Sequence, residues 1–315
     1  MVHQGALGDF IVSFPVLRSL RSSFVRIDGV CRSEFGRLAA HLAVIDRFHP
    51  LEAARFASLY TTESDSRVAD LLKSYDHVLL FSFSETLEES VRRAMADAVH
   101  RIPPWPRDEE GVHVTEFLFQ RLKALRLPLK PGSTADPASG APRSDAGHRR
   151  TSGSGSRVIL CPGAGSRSKR WPLAGFLQLA DRLSEMDICP EFVLGPAERD
   201  LESVFATGTA AVRRVHRPQG LVQLAQLLQS AGGYVGNDSA VSHLAAFLGI
   251  PAVVLFGPSN PDRWRPLGTR VIVLKTGGLT DCRLDKAKTG CIDSGCVEQI
   301  PPEMVLKSLL GLIHP

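Results

Sequence analysis

One stretch of this chain joins groups that can hold an anion to a backbone able to present them: Gly236-Asn237-Asp238-Ser239-Ala240-Val241-Ser242-His243-Leu244-Ala245-Ala246. It follows the small, apolar Gly233-Tyr234-Val235 and runs into apolar residues at helical spacing that end at Gly249. Asp238 and Ser239 fall where side-chain oxygens cap the first free N–H groups of a helix. Those N–H groups and the helix dipole also favour an anion. Residues 250–256 then read as another strand, which places the polar turn at the carboxyl edge, where open α/β sheets take ligands. A second concentration is Pro162-Gly163-Ala164-Gly165-Ser166, followed by Lys169-Arg170-Trp171-Pro172. Its glycines let the backbone approach a ligand closely, and its N–H groups can face a phosphate. Lys169 adds a point charge suited to a phosphate group; the competing reading is a solvated lysine beside Arg167 and Arg170. A third is Gly5-Ala6-Leu7-Gly8-Asp9, a glycine turn that puts a carboxylate at a helix start.

The elements that must carry these turns alternate. Residues 8–22 read as one helix, with Phe10, Ile11, Phe14, Leu17 and Leu20 on one face. Strands are expected over 25–30, 44–48 and 77–83, and helices over 34–42 and 112–127. From Pro128 to Arg157 the composition shifts to proline, glycine, serine and alanine without any aromatic residue, so that segment buries too little apolar surface to offset its ordering entropy. A second alternating series follows: strand 158–161, helix 173–185, strand 191–194, helix 197–205, strand 212–215, helix 221–230, the strand–turn–helix–strand stretch over 233–256, and a terminal helix over 301–313 that begins at proline. Strands alternating with helices give parallel sheets covered on both faces. The expected domains are 1–127 and 157–315, joined by a flexible linker over 128–156. Only Met1 to Gln4 precede the first glycine, so the first strand is expected to be short.

In their order, the turns Gly5 to Asp9, Pro162 to Gly165 with Lys169-Arg170-Trp171-Pro172, and Gly236 to His243 resemble glycosyltransferase family 9, the lipopolysaccharide heptosyltransferases. The resemblance covers nearly all of the chain outside 128–156. It implies the GT-B architecture, an α/β fold of two Rossmann-like parallel-sheet domains facing a cleft. The N-terminal domain would be the acceptor side and the C-terminal domain the nucleotide-sugar side. It further implies a glycosyltransferase that moves a heptose from an ADP-sugar to a lipopolysaccharide core or lipid-linked acceptor. With one cleft carboxylate and no evident second as nucleophile, a single inverting displacement is the economical mechanism, and without an Asp-x-Asp metal motif a lysine and the helix dipole would replace a divalent ion.

Glycosyl transfer needs a base for the acceptor hydroxyl, stabilisation of the leaving diphosphate, and a pocket for nucleotide and sugar. In the motif context Asp9 is the candidate base; an ordinary aspartate, with pKa about 3.9, is ionised at neutral pH. The plainer role of N-terminal cap stands beside it, worth about 1 kcal/mol, and the two can coexist. Lys169 is the candidate phosphate ligand, and Trp171 reads as packing that fixes its loop. The resemblance places Gly163, Ala164, Gly165, Ser166, Asp238, Ser239, Ala240 and His243 at the donor, with Asp238 accepting sugar hydroxyls. His243 reads equally as a buried histidine satisfied by a backbone carbonyl. Ala240 stands where related proteins usually have glycine; if that position needs a positive φ, alanine is strained there. Glu198 and Asp200 are weaker candidates for the nucleoside, since acidic residues at a helix start also complement the dipole.

With 315 residues, 43% apolar and 22% charged, the chain has the composition of a globular protein large enough for two cores. A net charge of +4 permits contact with an anionic membrane surface, and nucleic acid is not an expected partner. No run of 18 apolar residues occurs and no charged n-region precedes an apolar core, so the expected location is cytoplasmic, with peripheral contact at the inner membrane. Three of the six cysteines, Cys282, Cys291 and Cys296, cluster late, but without a C-x-x-C pair, and no metal or other cofactor is expected. A dehydrogenase is disfavoured because no G-x-G-x-x-G follows a strand. Another nucleotide sugar or acceptor, a nucleotide-sugar epimerase and a non-catalytic binder remain as alternatives.

Overall fold

A computed structural model describes the chain except residues 62–64, 96–97, 108–110, 126, 130–156, 207–212, 276–296 and 315. The described residues fall into two units, within Met1–Gly140 and Ala141–Pro315. The expected linker, from residue 130 onward, and Cys282, Cys291 and Cys296 lie outside the described residues.

The first unit runs β1 (Val2–His3), α1 (Leu7–Val12), α2 (Phe14–Leu20), β2 (Asp28–Cys31), α3 (Ser33–His41), β3 (Arg47–Pro50), α4 (Ser66–Lys73), β4 (Val78–Phe81), α5 (Glu85–Met95), β5 (Val99–Ile102) and α6 (Val114–Ala124). A 3-10 segment over Ala54–Tyr60 lies between β3 and α4. The five strands pair in parallel in the order β3-β2-β1-β4-β5. β1 lies at the centre, with Val2 opposite Val30 on one side and Leu80 on the other. Val2, Val30, Val78, Leu80 and Val99 form the core with Phe56, Leu72, Leu87 and Val91. Strand order reverses between β1 and β4, which creates a switch point at their carboxyl ends.

Three expected boundaries move for physical reasons. The single helix over 8–22 is two helices that meet at Ser13. Pro15 gives no N–H to the carbonyl of Ile11 and its ring crowds that carbonyl, so one helix cannot run through. The Ser13 hydroxyl instead donates to the Phe10 carbonyl at 2.7 Å. Strand 25–30 shifts to Asp28–Cys31, leaving Val25 fully exposed. Strand 44–48 shifts to Arg47–Pro50: Val44 and Ile45 are buried ahead of it, after Ala43 turns the chain at a φ of 52°. Their apolar character reported burial, not pairing.

The second unit runs β6 (Arg157–Cys161), α7 (Leu173–Glu185), β7 (Cys189–Val193), α8 (Arg199–Ala206), β8 (Arg214–His216), α9 (Leu221–Gln229), β9 (Gly233–Asn237), α10 (Ala240–Phe247), β10 (Ala252–Leu255), α11 (Pro261–Trp264), β11 (Val271–Leu274) and α12 (Pro302–Ile313). The expected helix 197–205 divides into a 3-10 turn (Pro196–Glu198) and α8. All pairs are parallel, in the order β11-β10-β9-β6-β7-β8. The winding repeats that of the first unit: the first strand again lies between the second and the fourth, and order reverses between β6 and β9. Phe176, Leu179 and Leu183 of α7 share a core with Val305 and Leu309 of α12 and with Val158, Leu160, Val235 and Val253 of the sheet. Glu191 on β7 is fully buried, with Arg214 Nη1 at 2.9 Å and His216 Nε2 at 2.8 Å, both from the edge strand β8, and Arg157 Nη2 at 2.5 Å. Burial alone would raise its pKa, but the hydrogen bonds from these three partners outweigh it and hold the carboxyl below its ordinary value.

Candidate functional site

At the switch point of the second sheet, the loop after β6 and the turn after β9 are held by one side chain. Asn237, fully buried at the end of β9, donates from Nδ2 to the carbonyls of Pro162 at 2.9 Å and Gly163 at 3.3 Å. Its Oδ1 accepts the backbone N–H of Trp171 at 2.9 Å. Trp171, 2% exposed, donates Nε1 to the Ile300 carbonyl at 3.0 Å and meets Phe176 edge to face, so it anchors the far end of the loop by packing. Between these anchors the loop is free to face outward. Gly165 has open space where a Cβ would stand, and Ser166 is exposed. Gly163 is constrained differently: a Cβ there would stand 2.3 Å from Oε1 of Glu198, so no larger residue fits without displacing that carboxylate. Ala164 is buried beneath the turn.

Lys169 ends a 3-10 turn (Arg167–Lys169) and reaches across to the other loop, where its Nζ donates to Asp238 Oδ2 at 2.8 Å. The aspartate is 6% exposed and the lysine 34%, so the pair is half sheltered and the ammonium keeps one side open. Asp238 continues the line of β9, its N–H donating to the Leu255 carbonyl at 3.0 Å. Ser239 is the N-cap of α10 in extended conformation, but its hydroxyl makes no cap hydrogen bond, contrary to the capping expected for it. That capping fails because Ser242 Oγ takes over the turn: it donates to the Asn237 carbonyl at 2.5 Å and bonds Tyr234 Oη at 2.9 Å, with Ser239 Oγ at 3.5 Å. The N-terminus of α10 is thus left to external acceptors. Ala240 is the first helical residue and lies outside the left-handed region, so alanine carries no strain there. His243, in the first turn of α10, is half-buried. Glu198 accepts the Gly195 N–H at 2.8 Å, and Arg170 holds Asp200 at 2.8 Å with Glu198 at 3.9 Å. Both carboxylates therefore border the glycine turn with structural partners of their own.

In the first unit Asp9 is the third residue of α1, directly after β1 and next to that sheet's switch point. Its Oδ2 accepts the Ala6 N–H at 3.3 Å, so it is a cap. Burial raises its pKa above the ordinary carboxylate value, and the Ala6 N–H takes back part of the rise. Gly5 is close-fitted: a Cβ would meet His3 Cε1 at 3.0 Å and Asp9 Oδ2 at 3.2 Å. His3 is buried against Phe10 and Phe81, and burial lowers its pKa to about 4, although the nearby Asp9 backbone favours the charged ring slightly. Neither of its ring nitrogens reaches a partner in hydrogen-bond geometry. The neutral ring walls Asp9 on its inner side.

The sequence reading thus named Gly163, Ala164, Gly165, Ser166, Lys169, Glu198, Asp238, Ser239 and Ala240, and the fold brings them to one sheet edge. It did not single out Asn237 or Ser242. Both lie inside the stretch it opened on, and the signal for each was polarity at a position that strand or helix period assigns to the interior.

Residues 104–290 match the family model described as glycosyltransferase family 9 (heptosyltransferase). The lipopolysaccharide heptosyltransferase 1 of Pseudomonas aeruginosa is 25% identical over 294 residues, covering 83% of this chain and 79% of that protein. The structure of the Escherichia coli ADP-heptose lipopolysaccharide heptosyltransferase II superposes with a TM-score of 0.68 at 21% identity, covering 99% of this chain and 98% of that one. An iron-containing dodecameric glycosyltransferase from enterotoxigenic E. coli shares the fold at a TM-score of 0.57 and 15% identity, over 99% of this chain and 74% of its own. With its two parallel α/β units of the GT-B class and more than half its length matched by that model, the chain belongs to glycosyltransferase family 9.

Proposed function

We propose that this glycosyltransferase moves a heptose from an ADP-sugar to a lipopolysaccharide core acceptor by a single inverting displacement without a metal ion. The observation that carries it is the Lys169–Asp238 pair, with Nζ and Oδ2 2.8 Å apart, set between a glycine turn and an uncapped helix N-terminus. This is a cation and a set of free N–H groups at the place where a diphosphate leaves. Asp238 holds the ammonium in position before the donor arrives and offers its second oxygen to sugar hydroxyls. Asp9 takes the acceptor proton as the new bond to the anomeric carbon forms; the bond from that carbon to the diphosphate breaks, and the nucleoside diphosphate departs against Lys169. Its burial-raised pKa makes Asp9 a better base than an exposed aspartate.

The choice of donor is supported by the names of relatives, which specify ADP-heptose and lipopolysaccharide. Among the described residues no helix is long and apolar enough to cross a membrane, and we place the enzyme at the cytoplasmic face, touching the bilayer through its acceptor. The test is nucleotide release from ADP-heptose, with UDP- and GDP-sugars alongside, with and without truncated lipopolysaccharide, and with a chelator present. Release of ADP that requires acceptor and survives the chelator is expected. Donor turnover without acceptor would make the protein an epimerase or hydrolase, and loss of activity on chelation would remove the metal-free mechanism.

A further inference from the structure

The switch point of the first sheet carries a feature that the chemistry above leaves unused. Phe83, two residues beyond β4, is 45% exposed. Its ring centroid lies 5.0 Å from that of Trp105, three residues beyond the neighbouring strand β5, with the planes inclined at 69°. Both rings therefore stand at the carboxyl edge of adjacent strands, Phe83 one strand and Trp105 two strands over from the turn that bears Asp9.

An exposed aromatic residue on a loose loop would mean little, but neither ring is loosely held. Ser82 Oγ accepts Gln4 Nε2 at 2.8 Å and the Ser84 N–H at 3.0 Å, which ties the end of β1 to the loop of Phe83. The Ser82 N–H donates to the Ile102 carbonyl at 3.1 Å, and Arg101 Nη1 donates to the Phe83 carbonyl at 3.2 Å, which ties the same loop to β5. Trp105 stands in the run Pro103-Pro104-Trp105-Pro106. Each proline fixes its own φ, and Pro106 confines Trp105 to extended conformations. The indole is presented by a stretch with little conformational freedom left to lose on binding.

We propose that Phe83 and Trp105 form a stacking platform for a pyranose ring of the acceptor. Building on the transferase function above, it supplies the acceptor subsite which that function lacks. A pyranose has a face of C–H groups and a rim of hydroxyls. Two inclined rings offer an apolar face and an adjoining wall to the first, and the open carboxyl edge of the sheet leaves the second to polar groups and water. The pair fixes which acceptor sugar lies beside Asp9 and contributes nothing to the donor.

The experiment compares wild type with Phe83→Ala, Phe83→Tyr and Trp105→Ala, using lipopolysaccharide whose core ends before heptose and the delipidated oligosaccharide from the same material. With either acceptor, each alanine variant is expected to raise the acceptor KM about tenfold, leaving donor affinity and turnover at saturating acceptor within about twofold. Phe83→Tyr keeps the ring and should stay near wild type. The exposed Phe83 is the position whose loss does not endanger folding, so it decides the matter if Trp105→Ala is unstable. Calorimetric binding of the oligosaccharide to wild type and Phe83→Ala gives a readout independent of turnover. Binding that weakens in the variant, in a protein that transfers nothing, would keep the platform and overturn the transferase function. An unchanged acceptor KM and unchanged binding would overturn the platform. So would a rise confined to the lipid-bearing acceptor, which would assign the rings to an acyl chain.

Discussion

At the switch point of the second sheet, the loops after β6 and β9 bring together Lys169, a nearly buried Asp238, a glycine turn and the N-terminus of α10. At the corresponding point of the first sheet, the loops after β1 and β4 bring Asp9, Gln4, Ser82 and the exposed Phe83. The strand winding is the same; the chemistry placed on it is not. One edge is built from cation, N–H groups and helix dipole, the means by which a protein holds a diphosphate. The other has a single carboxylate with raised pKa, hydroxyl and amide groups and aromatic rings, which suit a sugar that must lose a proton. Few residue types can do the first task and their spacing is nearly fixed, whereas many arrangements can do the second. Under the proposed function, damage to the edge of the first sheet should appear in turnover and acceptor affinity, and damage to the edge of the second sheet in donor affinity.

The largest effect is expected at Asp9. In Asp9→Asn the amide oxygen still accepts the Ala6 N–H, so stability should hold, while the proton acceptor is gone. Turnover should fall by about 10²–10⁴, with donor affinity unchanged. In the wild type the reaction needs the ionised carboxylate, so the rate is full above the Asp9 pKa and declines as pH falls through it. Because burial raises that pKa, the acid limb should lie above the ordinary value of about 3.9. Single-turnover transfer with both substrates saturating, across pH, reads both effects. Turnover of the variant within about threefold of wild type would move the base elsewhere.

Lys169→Ala should have the next largest effect, and on the other edge. Loss of a charge-assisted contact to the diphosphate is worth about 1.5–3 kcal/mol, roughly tenfold to more than a hundredfold in donor affinity and rate. Acceptor affinity measured by binding should not change. If neither donor affinity nor turnover moved, Lys169 would serve only as the partner of Asp238.

Asn237→Asp is a finer cut at the same edge. The carboxylate can still accept the Trp171 N–H but cannot donate to the carbonyls of Pro162 and Gly163. Releasing the glycine turn should weaken donor binding by up to about tenfold, the worth of a neutral hydrogen bond. As pH falls and the new carboxyl protonates, one donor returns and the loss should shrink. Donor affinity of the variant that does not recover relative to wild type at low pH would mean that the turn is held by other contacts.

The same asymmetry governs what could be read from sequence. Lys169, Asp238 and the glycine turn could be named because their types and spacing have few other uses, and α7 kept its expected bounds because its apolar residues repeat at helical period without interruption. Asn237 could not, because a buried asparagine is defined by the carbonyls it meets, which lie 74 and 75 residues away in sequence. α5 carries little helical signal in the sequence because Glu85, Glu88, Glu89, Arg92 and Arg93 surround an inner face of only Leu87 and Val91. Phe83 and Trp105 gave no signal, since only the pairing of β4 with β5 makes them neighbours. Family likeness could place a glycine at Ala240, but only the backbone could tell whether that glycine was needed.

That last point leads to the smallest expected effect. Ala240 begins α10 with a helical backbone, outside the region that favours glycine, and it offers its N–H as any residue would. Ala240→Gly, which installs the residue that the resemblance implies, should therefore gain nothing in donor affinity. It should instead lower stability, because glycine has more backbone freedom to lose on entering a helix, by about 0.5–1 kcal/mol at most. For a unit of this size that corresponds to a fall of roughly 2–4 °C in Tm, and less if the helix end frays. Thermal melts and donor titrations of the two proteins settle it. A glycine variant that binds donor several-fold more tightly would mean that the turn must pass through a positive φ when occupied. The N-terminus of α10 would then rearrange on binding, and the second switch point would be less preorganised than its resting geometry implies.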